Sequence, residues 1–382
     1  MKLALIGNDA RGLILFRLDM IEALQKSGIQ VYAFFPKRTA NPKDIDLACR
    51  LLRQKGAEPF PLPLDRTGLN PLSDLNYRRR ITQLIRKLGC DMAFAYGIKP
   101  IIHGLPAAKK GGATRCFAMI AGLGSAFMAP DTISKWLIYH IAKQGYYQAL
   151  SFCEHTFFQN KDDRTDFFRM KIIDSKAKTS LIAGSGVNLS RFPAQPLPQT
   201  DEKALRFIYV GRLIKTKGII DFLDAAKHIK QNYPKAEFWV VGGEDTNPDG
   251  LTLECLKKKY PHITFYGAVD SVAPLLAKSH VFVLPSYYRE GIPRSALEAM
   301  ATGRALILAD SPGTREAIQE HKNGLLVPPQ TPKAIAKAMQ HYLETPNLLK
   351  KHAQESLILA RNHFAVEKVN AYIVEIINFE MK

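Results

Sequence analysis

The chain carries thirteen short apolar runs, separated by longer segments in which apolar and polar positions recur with helical spacing. Each run has the length of a buried strand, and the segments between them are long enough for a helix and its connections. Strands that alternate with helices indicate parallel sheets built from βαβ units. The predicted strands are 3–7, 30–35, 58–64, 92–96, 115–120, 155–159, 179–183, 207–210, 237–241, 263–266, 281–284, 305–308 and 325–327.

A proline-rich segment divides this series of strands. Pro193, Pro196 and Pro198 lie close together, which is typical of a linker. A length of 382 residues also suits two domains. The predicted organisation is an N-terminal α/β domain, a linker, a C-terminal α/β domain and a final helix, over 1–192, 193–204, 205–363 and 364–382.

Composition is that of an ordinary globular protein, with 46% hydrophobic residues. The apolar runs are far shorter than the roughly 18 residues of a membrane-spanning helix. The first run is too short for a signal peptide and is predicted to be a strand. Five scattered cysteines without a Cys-x2-Cys pair indicate reduced thiols in a cytoplasmic protein and argue against a zinc site.

The formal net charge of +18 is high and unevenly distributed. Residues 1–192 hold 29 Lys and Arg against 15 Asp and Glu, whereas residues 193–382 hold 24 against 20. An anionic membrane surface, a nucleic acid and simple solubility are three explanations for such an excess. The asymmetry argues against solubility alone.

The most informative stretch follows a predicted strand and carries Glu290 and Glu298, eight residues apart. Between them, Gly291 allows a sharp turn and Pro293 suits the first position of a helix. Glu290 is then on the loop before the helix, and Glu298 is about two turns inside it. The amides of Gly291 and Ile292 are near the helix N-terminus, which favours an anion. This arrangement suits a sugar attached to a phosphate, although two solvated glutamates would give the same pattern.

A second cluster follows another predicted strand, where Gly211 precedes Arg212 and Lys217 at the start of a helix. Arg212 is able to bond two phosphate oxygens through its planar guanidinium, and Lys217 adds a compact positive charge. The cluster therefore predicts a diphosphate site, although cations after a strand are common in any α/β fold.

Together, the two clusters resemble the signatures of the retaining glycosyltransferases called family 4. The match rests on the Glu-x7-Glu pair and on the Gly-Arg-Leu…Lys-Gly motif at 211–218, and it continues through 301–307, 312–316 and 323–328. It is closest to bacterial enzymes that glycosylate undecaprenyl-diphosphate-linked acceptors. The resemblance implies the GT-B fold, an α/β architecture with two Rossmann-like domains facing across a cleft. It also implies that the final helix packs back on the N-terminal domain.

The resemblance also assigns roles to residues. Arg212 and Lys217 hold the leaving diphosphate, and Glu290 orients the donor sugar, so these three are the predicted catalytic residues. Glu298 binds the ribose hydroxyls. The other predicted donor-binding residues are Gly291, Ile292, Pro293, Gly211, Gly12, Gly243 and Val269. The expected co-substrate is a nucleotide sugar, with a UDP-sugar preferred, and no metal or other cofactor is expected.

Two further segments are candidates for contact with the acceptor or a membrane. One is a basic amphipathic helix that carries Arg78, Arg79 and Arg80 and an apolar stripe. The other is an apolar helix with Trp136, a residue type that suits a membrane interface. Lys99, after a predicted strand, is a candidate contact for an acceptor diphosphate. Each candidate has a structural alternative. The basic helix would pack on a sheet with its arginines in solvent, the apolar helix would be buried in the core, and Lys99 would be exposed to solvent.

The sequence thus predicts a retaining glycosyltransferase that moves a hexose or N-acetylhexosamine to a polyprenyl-diphosphate-linked sugar. It is expected in the cytoplasm, peripheral on the inner face of the cytoplasmic membrane, with an anionic membrane surface as partner and no nucleic acid. Two alternatives stay open. One is a GT-B sugar-nucleotide epimerase, and the other is a non-catalytic basic protein that binds RNA or membranes.

Overall fold

The computed structural model describes residues 1–37, 42–63, 70–128, 132–199, 204–245 and 249–380. The chain divides into two compact units, the first formed by Met1–Ser185 with Val366–Lys382 and the second by Gly186–Ala365. The division falls before the predicted boundary at 192, because the amide of Val187 donates to the carbonyl of Phe364 at 2.7 Å. Residues 200–203 of the predicted linker lie outside the described residues.

In its described part, the first unit contains a sheet of seven strands, seven α-helices in the connections between them, and the last helix of the chain. The strands are β1 (Lys2–Ile6), β2 (Gln30–Pro36), β3 (Glu58–Leu62), β4 (Met92–Tyr96), β5 (Arg115–Ile120), β6 (His155–Phe158) and β7 (Thr179–Leu181). The helices in its described part are α1 (Ala10–Phe16), α2 (Leu18–Lys26), α3 (Lys43–Gln54), α4 (Pro71–Leu88), α5 (Leu105–Gly111), α6 (Ile133–Leu150) and α7 (Lys161–Arg169).

All seven strands are parallel, in the order β3-β2-β1-β4-β5-β6-β7. Successive side chains of a strand point to opposite faces. In β1, Ala4 and Ile6 pack in a core with α4 and α5, whereas Leu3 and Leu5 pack in a second core with α2. Both faces of the sheet are therefore covered by helices, which explains the nearly continuous apolar composition of its central strands.

The second unit repeats this plan on a smaller sheet. Its strands are β8 (Arg206–Val210), β9 (Glu237–Val241), β10 (Thr264–Gly267), β11 (Val281–Leu284), β12 (Ala305–Ala309) and β13 (Gly324–Val327). Its helices are α8 (Ile219–Asn232), α9 (Leu253–Lys259), α10 (Ala273–Lys278), α11 (Arg294–Thr302), α12 (Pro332–Glu344) and α13 (Pro346–His363). The strands are parallel, in the order β10-β9-β8-β11-β12-β13.

The last helix, α14 (Val366–Phe379), belongs to the first unit. Val369, Ile373 and Ile377 recur with helical spacing and are buried in the same core as Leu3 and Leu5. The C-terminal segment therefore completes the helical layer on the α2 face of the first sheet.

The predicted fold class is confirmed, because both units are parallel-sheet α/β structures. All thirteen predicted strands occur in the described part of the chain, with bounds that differ by at most two residues. The last residue of the predicted run 58–64 lies outside that part.

Arg304, just before β12, ties the proline-rich segment to the second unit. Its guanidinium is fully buried and donates to the carbonyls of Gln195, Pro196, Thr302 and Ser279. Burial lowers the pKa of Arg304 to about 10. One side chain thus provides hydrogen-bond donors to four backbone carbonyls, two of them in the proline-rich segment.

We expect Arg304→Met to destabilise the second unit by about 2 kcal/mol, because it removes the charged donor of several backbone carbonyls and such a hydrogen bond contributes about 1.5 to 3 kcal/mol. The chain has two tryptophans, and a Trp136→Phe background leaves Trp239 of β9 as the fluorescent reporter of this unit. Urea unfolding measures the change. Arg191→Met, at an exposed position, is the control. Equal urea midpoints for the Arg304→Met and Arg191→Met variants would contradict the role of Arg304.

Candidate active site

Four loops follow β9, β8, β11 and β12, which are neighbours in the second sheet. The strand order reverses between β8 and β11, and open α/β sheets bind ligands at the carboxyl ends of the strands beside such a reversal. The loop after β8 carries the predicted cations, and the loop after β11 carries Glu290. The topology therefore brings the two sequence clusters to one edge of one sheet.

Two glycines allow these loops to touch through their backbones. Gly218 has a φ of 73°, and a Cβ there would lie 2.2 Å from the carbonyl oxygen of Pro285. Gly313, after β12, has a φ of 79°, and a Cβ there would lie 2.1 Å from the carbonyl oxygen of Glu290. Because neither position has room for a side chain, the loops after β8 and β12 both rest directly on the loop after β11.

Lys217 and Glu290 form an ion pair that joins the β8 and β11 loops. Lys217 Nζ lies 2.5 Å from both carboxylate oxygens, and Ser286 Oγ donates to Glu290 Oε1 at 2.9 Å. The lysine and glutamate side chains are 11% and 17% exposed. A pair this well shielded holds both groups in place, because separating it would leave two desolvated charges.

Tyr288 places the two predicted cations beside one aromatic ring. The Arg212 guanidinium carbon lies 5.6 Å from the ring centroid, and Lys217 Nζ lies 5.9 Å from it. The negative face of an aromatic ring attracts cations at such distances. Sequence reasoning gave Tyr288 no role, although its position two residues before Glu290 was an available signal.

Arg212 has an acidic partner as well. Its Nη1 lies 2.8 Å from Asp245 Oδ2, on the loop after β9, and the Tyr209 hydroxyl donates to the Arg212 carbonyl at 3.1 Å. Asp245 is thus the partner of a predicted cation, and Ser286 is a site residue to which sequence reasoning gave no role. Both predicted cations contact carboxylates, so a bound diphosphate would have to exchange with these contacts.

Helix α11 begins later than predicted. Its first residue is Arg294, and Pro293 is the N-cap with an extended ψ of 120° rather than the first helical residue. The contact of Gly313 with Glu290 and Gly291 holds the chain in the loop up to that point. Glu298 is therefore about one turn inside the helix, not two.

The start of α11 keeps the predicted features of an anion site. Its N-cap residue, Pro293, makes no side-chain cap hydrogen bond, and the first N–H groups of a helix favour negative charge. Gly291 and Ile292 are buried immediately before it. The helix start and the two cations follow neighbouring strands of the same sheet.

Glu298 lies apart from Glu290 and has its own cation. Arg294 Nε is 2.8 Å from Glu298 Oε1, and the two side chains are 13% and 12% exposed. Burial raises the pKa of Glu298 to about 7, although Arg294 acts to lower it. The sequence predicted Glu298 but not its partner.

The remaining predicted donor-binding residues of this unit lie in the same set of loops. The amide of Gly211 donates to the carbonyl of Val241 at 3.0 Å, and the carbonyl of Gly243 accepts from the amide of Leu213 at 3.0 Å. These bonds join the loops after β8 and β9. Val269 is partly exposed shortly after β10.

In the first unit, Gly12 lies within α1 rather than in the loop before it. Its amide donates to the carboxylate of Asp9 at 2.5 Å, which caps the helix. A Cβ at Gly12 would lie 2.9 Å from Asp9 Oδ2. The expected approach of a ligand to this amide would therefore require Asp9 to move.

Lys99 is a buried residue rather than an exposed cation. Its Nζ lies 2.8 Å from Asp74 Oδ1 of α4, and His103 Nε2 lies 3.5 Å from the other carboxylate oxygen. Burial lowers the pKa of His103. Contact between Lys99 and an acceptor diphosphate would require the Asp74 pair to open.

The basic and apolar helices present different faces. On α4, Ile81 and Ile85 are buried while Arg78, Arg79 and Arg80 are exposed. On α6, four large side chains at helical spacing are 42–89% exposed. We call them the apolar face of α6: Ile133, Trp136, Leu137 and Ile141. Core burial of Trp136, one of the two interpretations of this helix, is therefore wrong.

No helix in the described part of the chain is long and apolar enough to cross a membrane. The same residues contain no cluster of three His, Cys, Asp or Glu side chains arranged to hold a metal ion.

The family comparison agrees with this geometry. Residues 194–356, which include Arg212, Lys217 and both glutamates, match the family described as Glycosyl transferases group 1. Residues 194–356 thus carry the pattern of a glycosyltransferase family, and the two parallel-sheet α/β units have the GT-B class of fold. The family match argues against the alternative of a non-catalytic basic protein.

Similarity to individual proteins extends over the whole chain. The N,N'-diacetylbacillosaminyl-diphospho-undecaprenol alpha-1,3-N-acetylgalactosaminyltransferase of Campylobacter jejuni is 27% identical, covering 97% of this chain and 98% of that protein. The UDP-Gal:alpha-D-GlcNAc-diphosphoundecaprenol alpha-1,3-galactosyltransferase of Escherichia coli is 25% identical, covering 81% of this chain and 82% of that protein. The Anabaena HepE structure in complex with UDP has a TM-score of 0.75 at 16% identity, covering 99% and 100% of the chains.

The raised pKa of Glu298 predicts a pH-dependent effect of Glu298→Gln. A carboxyl whose pKa is higher in the folded than in the unfolded state stabilises the fold at low pH, and that contribution is lost as the pH rises from about 4.5 to about 7. The glutamine variant lacks this loss. We expect its stability relative to the native protein to increase by on the order of 2 kcal/mol between pH 5 and pH 8.

Urea unfolding of both proteins at the two pH values measures this difference. Any pH-independent cost of leaving Arg294 without its carboxylate partner cancels in the comparison. A constant difference between pH 5 and pH 8 would contradict the raised pKa.

Proposed function

We propose that this glycosyltransferase transfers a hexose or N-acetylhexosamine from a UDP-sugar to a polyprenyl-diphosphate-linked sugar, with retention of anomeric configuration. The observation that carries the proposal is the convergence of Arg212, Lys217 and Glu290 around Tyr288 at the strand-order reversal. This group combines two cations for a diphosphate with a fixed carboxylate for a sugar.

In the proposed reaction, the donor diphosphate takes the place of the carboxylates beside the cations. Arg212 exchanges Asp245 for phosphate oxygens, and Lys217 shifts from Glu290 toward the leaving group. Positive charge held where negative charge develops is a large catalytic effect. Glu290, still fixed by Ser286, accepts hydrogen bonds from sugar hydroxyls.

The donor and acceptor classes are supported by the names of the relatives. The Escherichia coli relative is named for UDP-galactose and a diphosphoundecaprenol-linked acceptor, and the Campylobacter jejuni relative is also named for a diphospho-undecaprenol-linked acceptor. Both cover more than four-fifths of this chain. The two sugars of these names, galactose and N-acetylgalactosamine, guide the choice of donors to test.

Retention is supported by the linkage in the name of a relative. Galactose is α-linked in UDP-galactose, so the α-1,3 linkage in the name of the Escherichia coli relative corresponds to retention.

The test begins with calorimetric binding of UDP-GalNAc, UDP-GlcNAc, UDP-galactose, UDP-glucose and GDP-mannose. We expect a UDP-sugar to bind and to be transferred to a synthetic polyprenyl-diphosphate-linked sugar. Lys217→Ala and Arg212→Ala should each slow transfer by roughly 100-fold to 1000-fold, the range for removing a group that stabilises developing charge.

Lys215→Ala is the matched control. Lys215 is exposed and lies in the same short 3-10 helix as Lys217, Lys215–Lys217, and in the described part of the chain its side chain does not contact Glu290 or Tyr288. It should transfer at the native rate. Normal rates in Lys217→Ala would contradict the proposed site. Interconversion of the donor without any acceptor would instead favour the epimerase alternative.

A polyprenyl-linked acceptor lies in a bilayer, and we propose that the first unit binds the membrane surface through the apolar face of α6 and the arginines of α4. The face exposes Ile133 at 89% and Trp136 at 52%, and Trp suits the headgroup region. Arg78, Arg79 and Arg80 are exposed on α4, and basic side chains near anionic lipid each contribute about 1 kcal/mol. The excess charge of residues 1–192 agrees with this role.

Cosedimentation with phosphatidylcholine vesicles, with and without phosphatidylglycerol, tests the surface. We expect the double variant Ile133→Ser, Trp136→Ala to bind both kinds of vesicle more weakly. The double variant Arg79→Gln, Arg80→Gln should lose roughly tenfold or more of its affinity only for the vesicles that contain phosphatidylglycerol. Ile358→Ser, at an exposed apolar position of α13, is the control. Unchanged binding in both double variants would contradict the proposed surface.

A further inference from the structure

The Arg294–Glu298 pair runs against the rules that stabilise a helix. Arg294 is the first residue of α11, where the helix dipole disfavours a cation. The order is also the weaker one, because an acidic residue placed four positions before a basic one stabilises a helix more than the reverse. The pair is therefore poorly explained by the stability of α11.

Burial also makes the pair a poor source of stability. Both side chains are close to nine-tenths covered, with Nε and Oε1 2.8 Å apart. Desolvating two charges offsets most of their attraction, so a buried pair contributes little net stability. Places where a chain breaks local rules without a stability gain are often functional sites.

Arg294 is the charged residue that favours the ionised form of Glu298. Arg294 lies on the same helix, and its positive charge and bonding are what oppose the effect of burial on this carboxyl. Helices α10 and α13 and strands β11 and β12 pack against α11. Burial is the largest effect on the pKa of Glu298, and Arg294 provides the charge that opposes it.

We infer that Arg294 is a positioning residue that keeps Glu298 in its carboxylate form and oriented to accept hydrogen bonds from the ribose hydroxyls of the donor. The inference rests on the proposed function, in which Glu298 binds the ribose. A carboxylate accepts bonds from both hydroxyls of a cis-diol, whereas a protonated carboxyl has lost part of its acceptor capacity. Arg294 thus acts on the donor through Glu298.

Two consequences follow for donor binding. In the native protein, affinity should rise with pH through about 7, where Glu298 loses its proton. Without Arg294, the midpoint of this rise should move up by about 1 to 3 pH units, the usual effect of losing a neighbouring opposite charge. Below that midpoint, the affinity of the variant should fall by about tenfold for each unit of the shift.

The experiment measures calorimetric affinity for the member of the donor panel that binds the native protein, from pH 5.5 to pH 9. The diphosphate of a nucleotide sugar does not titrate in this range and its base loses a proton only near the upper end, so a midpoint well below that end reports on the protein. We expect Arg294→Met to weaken binding by about tenfold or more at pH 7 and to recover at high pH. Arg294→Lys should bring the midpoint back toward the native value.

A 2′-deoxyribose analogue of the same donor links the effect to the ribose. At pH 8, the native protein should bind the 2′-deoxyribose analogue about tenfold less tightly than the donor itself. At pH 7, the Arg294→Met variant should show a much smaller difference in affinity between the donor and this analogue. Arg206→Met is the matched control, because Arg206 Nε also pairs with a glutamate oxygen, at 3.0 Å from Glu237 across β8 and β9. It should keep the native pH midpoint.

The experiment distinguishes a failure of the proposed donor class from a failure of the proposed role of Arg294. If no nucleotide sugar binds the native protein, the proposed donor class is wrong and the role of Arg294 falls with it. If a donor binds but Arg294→Met only lowers the unfolding temperature and keeps the native pH midpoint, the pair is structural and this inference alone is overturned.

Discussion

The candidate site depends on the mutual neutralisation of Lys217 and Glu290. Each comes from a different loop, and the side chains are largely shielded from water, so each charge offsets the cost of shielding the other. The pair fixes the relative position of the loops after β8 and β11. Gly218 and Gly313 support the same arrangement, because their backbones contact the β11 loop where a side chain would collide.

The same constraint explains why the site cations are paired. Parallel strands bring the start of the next helix and its polar loop to one edge of the sheet, where a high density of charge accumulates. Asp245 balances Arg212, and Arg294 balances Glu298. A nucleotide sugar carries both a diphosphate and hydroxyl groups, so it is able to replace the carboxylates beside the cations and to satisfy the carboxylates with hydroxyls.

Much of this arrangement is readable in the sequence. The thirteen strands are apolar runs of the right length, and the Glu-x7-Glu pair and the Arg212–Lys217 cluster follow strands that become neighbours only through the topology. The partners are not readable, because the sequence does not reveal that Asp245 pairs with Arg212, and Ser286 is an ordinary polar residue until the fold brings it close to Glu290. Lys99 illustrates the same point: nothing in its own segment predicts burial against Asp74, which comes from a helix 25 residues earlier.

Local geometry at α11 could not be predicted for a different reason. Proline suits the first helical position, yet here Pro293 is the N-cap and the helix begins at Arg294. Gly313 packs against the Glu290–Gly291 backbone just before this start, a tertiary contact that the local sequence does not reveal.

The two glutamates of the motif show how environment gives one residue type two functions. Glu290 lies on a loop and faces a lysine and a hydroxyl, so its carboxylate is held by direct partners from two neighbouring strands. Glu298 lies on a helix, where burial favours its neutral form and a single arginine opposes that tendency. The first is suited to orient a sugar against a developing charge. The second is suited to a binding contact whose strength depends on its ionisation, which is why its arginine matters as much as the glutamate itself.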